Sequence, residues 1–131
     1  MRILIAEDDL TSRKFMVKFL SRYGECDLVV DGLEALDAFL LSIKENKKYD
    51  LICLDIMMPK VDGIRILQTI RDLEEQKGIS KEERSKIIMT TALAETQLVQ
   101  QAFDIGCDAY AAKPIDTEKL VKVLEEFNLI G

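Results

Sequence analysis

Four apolar runs in this sequence each end in residues that could do chemistry together. Ile3–Ala6 runs into Glu7-Asp8-Asp9, Leu51–Leu54 into Asp55, Ile87–Met89 into Thr90-Thr91, and Ala109–Ala112 into Lys113-Pro114. If folding gathers these ends, carboxylates, a hydroxyl and an ammonium share one rim. Three carboxylates about 5 Å apart repel by roughly 3 kcal/mol per pair at an effective dielectric near 20. Such a cluster persists only where a cation neutralises it or a proton relieves it. The donors are all oxygens, which fits a hard divalent ion, Mg²⁺ above all, or Mn²⁺. Taken alone, Asp8 and Asp9 also suit the start of a helix, where acids complement the dipole. A lysine between a fully apolar strand and a proline is less ordinary than a solvated one.

The elements that would position these groups are legible from hydrophobic spacing. Ile3–Ala6, Leu28–Val30, Leu51–Leu54, Ile87–Met89 and Ala109–Ala112 are short, nearly unbroken runs, as in strands buried on both faces of a parallel sheet. Helix-period stripes separate them: Phe15, Phe19 and Tyr23; Leu36, Phe39, Leu40 and Ile43; Ile66, Leu67, Ile70 and Leu73; Val99, Ala102 and Phe103; Leu120, Val123, Leu124 and Phe127. Asp62 and Asp116 are expected N-caps, and Gly24 and Gly106 expected stops. Residues 77–85 read as a longer loop. The alternation predicts an α/β fold, (βα)5, a doubly wound five-stranded parallel sheet, because right-handed crossovers place helices on both faces. Ligands of such sheets bind beyond the carboxyl ends of the strands, where the polar residues fall.

Composition excludes several classes. The 131 residues fit one domain, 1–131, with a core large enough to need no staples. There is no histidine, which removes Ser-His and Cys-His catalysis, histidine-ligated zinc and any phosphohistidine within the chain. Cys26, Cys53 and Cys107 form no CxxC pair and read as reduced, small hydrophobes. Net charge is −6 and the basic residues are scattered, so direct nucleic-acid binding is not expected. No apolar run is long enough to span a membrane, and the N-terminus is too quickly charged for a signal peptide, which predicts a cytoplasmic protein.

Asp8-Asp9, Asp55 through Pro59 to Asp62-Gly63, Thr91-Ala92, and Tyr110-Ala-Ala-Lys113-Pro114 together resemble the response regulator receiver family, end to end. Each motif alone is weak; their order and placement at successive strand ends are not. The resemblance implies a flavodoxin-like sheet in the order 2-1-3-4-5. It implies that Asp55 accepts a phosphoryl group from a phosphohistidine on a sensor histidine kinase or histidine phosphotransfer protein. It also implies that Asp9 and Asp55 bind the metal directly, Asp8 acts mostly through water, and the backbone carbonyl of Met57 adds a ligand. An ionised carboxylate attacks phosphorus without a general base; what the reaction needs is charge neutralisation on the phosphoryl oxygens and in-line positioning. Lys113 would serve one oxygen, and the Thr91 hydroxyl with the Ala92 N–H another. Thr90 and Thr91 face opposite ways, and Thr91 is taken as the switch because it precedes Ala92 as the family's residue does. Tyr110 is its aromatic counterpart on the fifth strand, though a tyrosine there also suits a plain sheet–helix seam. In the family the Lys-Pro bond is cis, and the signal leaves through the face made by the fourth helix, fifth strand and fifth helix.

Two positions depart from the chemotaxis pattern. Met57 and Leu93 stand where members that lose phosphate quickly carry polar side chains, which predicts a long-lived phosphorylated state. The chain is expected to be a phosphoacceptor rather than a turnover enzyme, with output through a separate protein because little follows Phe127. A phosphorylation-dependent homodimer is left open. The alternative is a receiver-like docking or dimerisation module that works without phosphorylation; intact acids, Thr91 and Lys113 speak against it. A haloacid dehalogenase-type hydrolase would want a second aspartate at Met57, and a nucleotide binder would want a glycine-rich first loop.

Overall fold

The structure is a computed structural model that describes residues 1–92 and 97–131. Five strands, β1 (Arg2–Ala6), β2 (Glu25–Val29), β3 (Leu51–Asp55), β4 (Lys86–Thr91) and β5 (Ala109–Ala112), alternate with five helices. These are α1 (Leu10–Leu20), α2 (Gly32–Lys44), α3 (Gly63–Gln76), α4 (Gln97–Ile105) and α5 (Thr117–Glu126). All pairings are parallel and the order is β2-β1-β3-β4-β5, as expected.

Strand alternation sorts the core into two layers. Ile3, Ile5, Leu51, Cys53 and Ile88 pack against Met16, Phe19 and Leu20 of α1 and Leu120 and Leu124 of α5. Leu4, Ala6, Ile52, Leu54, Ile87 and Met89 face the other way, onto α2, α3 and α4. The central strands are therefore buried on both faces, which is why their sequence is unbroken apolar. The edge strand differs. β2 starts at Glu25, three residues before the expected Leu28, because an edge strand is only partly covered and admits the polar Glu25 and Asp27, so its sequence is not an apolar run.

Helix starts follow the caps. Asp62 accepts from the Arg65 N–H and Asp116 from the Glu118 and Lys119 N–H groups; Asp31 caps α2 in the same way, through the Glu34 N–H. Gly63 has a second task. A Cβ there would lie 2.3 Å from the Asp55 carbonyl oxygen, so only glycine lets α3 begin against the end of β3. The 77–85 connection is held at the far end of the sheet by a buried ion network. Arg71 pairs with Glu74 at 2.6 Å and Asp108 at 2.9 Å, and the Glu74 Oε2 accepts from the Ser85 N–H. All three cysteines are free; burial pushes the Cys53 thiol up to about 12 and Cys107 up to about 11. Among the described residues, no helix is long and apolar enough to cross a membrane.

Candidate functional site

The carboxyl ends of β1, β3 and β5 meet through one ammonium. Lys113 Nζ lies 2.5 Å from Glu7 Oε1 and 2.9 Å from Asp55 Oδ2. Its backbone N–H donates to the Thr91 carbonyl at 2.8 Å, and the Lys113–Pro114 peptide is cis. Asp55 is 5% exposed, and its Oδ1 accepts from the Met57 N–H at 3.1 Å. Carboxylate oxygens of Glu7, Asp8 and Asp55 all lie within 4.8 Å of one another. Three acids against one lysine leave an excess of negative charge, and Asp8 is the exposed member through which an ion would enter.

Sequence reasoning expected Asp8, Asp9 and Asp55 here. The structure brings Asp8 and Asp55 together, with Glu7 in place of Asp9. The Asp9 carboxylate instead caps α1: its Oδ2 accepts from the Ser12 N–H at 2.9 Å, which holds its pKa below the usual carboxylate range. The physical reason is alternation. Glu7 continues the Ile3, Ile5 side of β1, Asp55 the Leu51, Cys53 side of β3, and Lys113 the Ala109, Ala111 side of β5, all on the α1/α5 face. Counting in twos from the core would have found Glu7 in the sequence.

Glu7 is 2% exposed and its pKa is pushed up to about 7. Burial is the main cause, with the neighbouring Asp55 carboxyl adding to it and the bond to Lys113 opposing. For Lys113, burial works to lower the pKa, but the hydrogen bonds to Glu7 and then Asp55 outweigh it and hold the ammonium above its ordinary value. Burial thus favours the protonated form of Glu7 beside the Lys113–Asp55 pair.

Around this centre the remaining candidates fall in two groups. Thr90 pairs in register with Asp55 and shares its face; Thr91 and Tyr110 belong by alternation to the opposite face, towards α4. Thr91 is buried at the end of β4 and Ala92 is exposed just beyond it. The Tyr110 ring is 44% exposed and meets Phe103 of α4 edge-on, centroids 6.0 Å apart. Met57 is 59% exposed beside Asp55. Leu93 lies outside the described residues. Lys60 pairs with Asp31 at 3.2 Å, and the Gly32 N–H donates to Pro59, tying the loop after Asp55 to the start of α2.

The family model of the response regulator receiver domain matches residues 3–125. This chain belongs to the response regulator receiver family. Its relatives include a probable histidine kinase 2 from Oryza sativa subsp. indica, 32% identical over 134 residues. That match covers 95% of this receiver but 12% of the kinase, so the chain spans only a small part of such a relative's length. Among solved structures, the receiver resembles a chain in the complex of the Saccharomyces cerevisiae histidine phosphotransfer protein Ypd1 with the receiver domain of the response regulator Ssk1. That likeness has a TM-score of 0.79 and 28% identity, over 95% of this chain and 87% of the other. The CheX–CheY–BeF3–Mg²⁺ complex from Borrelia burgdorferi gives a TM-score of 0.81 at 26% identity, over 96% and 87% of the two chains.

Proposed function

We propose that this receiver, read as a single domain over 1–131, takes a phosphoryl group onto Asp55 from a phosphohistidine of a sensor histidine kinase or histidine phosphotransfer protein. The observation that carries this is the Lys113 ammonium held between Glu7 and Asp55, with the Asp8 carboxylate in the same acid group. An Asp55 carboxylate oxygen attacks phosphorus, the P–N bond to the donor imidazole breaks, and its electron pair leaves with the imidazole. The product is an acyl phosphate on Asp55. Burial desolvates the nucleophile, and Lys113 moves from the carboxylate to a phosphoryl oxygen. Thr91 stands on the opposite face from Asp55, so its hydroxyl would serve another oxygen, with the Ala92 N–H, only after the end of β4 turns towards the phosphoryl group.

The donor set suits Mg²⁺, or Mn²⁺, since it offers oxygens alone and an uncompensated charge beside exposed Asp8. Asp8 and Asp55 would hold the ion with the Met57 carbonyl, and Glu7 replaces Asp9 as the third acid. The ion would neutralise charge developing on the phosphoryl group. The chain's part is to position, to shield and to switch, as a phosphoacceptor without turnover of a free substrate, in a cytoplasmic relay.

Thr91 and Tyr110, on the same face, would carry the change to α4, β5 and α5. There a groove of about 500 Å³ beside Tyr110, Pro114 and Lys119 offers a separate target protein a place to bind, or a second receiver a dimer contact. The exposed side chains of Leu10, Phe15 and Met57 near the mouth of the site would seat the donor. Labelling by acetyl phosphate tests the reading. A base-labile adduct that needs Mg²⁺ and disappears in Asp55→Asn is expected. Absence of an adduct under these conditions would favour a docking module that works without phosphorylation.

A further inference from the structure

The end of the sheet remote from Asp55 carries a second charged site. β4 runs from Lys86 to Thr91, so its two ends are about 16 Å apart at 3.3 Å per residue. At the Lys86 end, a cavity of about 270 Å³ is lined by Arg71, Lys81, Arg84, Lys86, Gly106 and Asp108, among others. Four cations and one acid face it in a chain whose net charge is −6.

The charges there are not mutually satisfied. Arg71 is spoken for by Glu74, Asp108 and the carbonyls of Gly106 and Ser85. The Asp108 Oδ2 is committed to Arg71 and the Ile87 N–H. Lys86 lies over the Phe127 ring, 5.4 Å from its centroid, and forms no salt bridge among the described residues. Lys81 and Arg84 have no acid partner among the described residues either. Most telling is the Arg84 Nε, which is buried from solvent and has no hydrogen-bond acceptor. A buried guanidinium donor without a protein acceptor calls for a partner from outside the chain, and beside three further cations an anion meets that need with charge as well as a hydrogen bond.

We propose that this cavity binds a small doubly charged oxyanion of the phosphate class, held by Arg84 and Lys81 with Lys86 beside it. Guanidinium and ammonium groups together match tetrahedral phosphate oxygens, and the volume is at or below the small end for ligand pockets, which suits an ion rather than a larger molecule. The site is separate from Asp55 and does not depend on its phosphorylation.

The test titrates inorganic phosphate into Mg²⁺-free receiver at constant ionic strength, following backbone amides by NMR. Saturable shifts confined to residues 81–86 and 105–108 are expected. Arg84→Gln should weaken binding about tenfold or more, the usual scale for a charge-assisted hydrogen bond. Lys81→Gln, at an exposed position, should weaken it severalfold and decides the matter if Arg84→Gln does not fold. Adenosine monophosphate run alongside separates the sources: tighter binding than phosphate indicates a nucleotide, equal or weaker binding the free ion. Shifts that never saturate, that spread over lysines elsewhere, or that persist unchanged in the variants would overturn the proposal.

Discussion

If the rim holds a repelling acid cluster, removing one charge should stabilise the metal-free protein and weaken its response to Mg²⁺. Asp8→Asn is the cleanest perturbation, because it keeps the shape of an exposed side chain outside the Lys113 bridge. The acid oxygens lie within 4.8 Å of one another. At that separation a carboxylate pair repels by about 3.5 kcal/mol at a dielectric of ~20 and by about 0.9 kcal/mol at that of water. Asp8 faces solvent and salt, so the lower figure governs, and two such pairs give about 1–2 kcal/mol. For 131 residues the unfolding entropy converts this to a Tm rise of about 4–7 °C. Mg²⁺ should close most of that gap. An ion at about ten times its Kd stabilises the folded state by ~1.4 kcal/mol, or about 5 °C, and the variant should lose most of that gain. Thermal unfolding by circular dichroism at pH 8 and low salt, in chelator and then in Mg²⁺, reads both effects. An Asp8→Asn protein no more stable than wild type in chelator, or one with an undiminished Mg²⁺ response, would refute the reasoning.

Glu7 sets a pH dependence. Between its ordinary value of 4.5 and about 7 the folded, metal-free protein holds a proton that the unfolded chain has released, so stability should fall as pH rises through that window and level off above it. Mg²⁺ affinity should rise over the same window; denaturant titrations across pH check both, and Glu7→Gln should abolish the slope. Met57→Asn should shorten the life of phosphorylated Asp55 roughly tenfold, the scale of one hydrogen bond to an attacking water, read as loss of label in Mg²⁺ buffer; an unchanged rate would count against the shielding role of Met57. Arg71→Ala leaves Glu74, 1% exposed, as a buried acid without its cation, and should cost about 3–5 kcal/mol in urea unfolding. A loss below about 1 kcal/mol would mean that the 77–85 connection is held by something else.

The fold was legible where both faces of a strand are covered. The central residues of β1, β3 and β4 (Ile3–Ala6, Leu51–Leu54 and Ile87–Met89) are apolar because the sheet gives them no solvent side, and β5 matches its run although half of it is exposed. β2 was misplaced by three residues because a partly covered edge strand admits Glu25 and Asp27 and so shows no apolar run. Most of the site was legible too, since Asp55 and Lys113 stand directly at strand ends. The resemblance pointed to the Asp8-Asp9 pair; side-chain alternation instead assigns Glu7 to the pocket and leaves Asp9 to cap the helix. The Arg71–Glu74–Asp108 network could not be read. An arginine and a glutamate three apart on a helix look like a solvated pair until tertiary packing covers them.

The account turns on which carboxylate receives the phosphoryl group. Treating the protein with acetyl phosphate, reducing the acyl phosphate with borohydride and sequencing the peptides by mass spectrometry would settle it, because reduction converts the modified aspartate to homoserine. Homoserine at position 55, formed in Mg²⁺ and not in chelator, is the expected result. Modification at Glu7 or Asp8, or equal modification without the metal, would contradict the account.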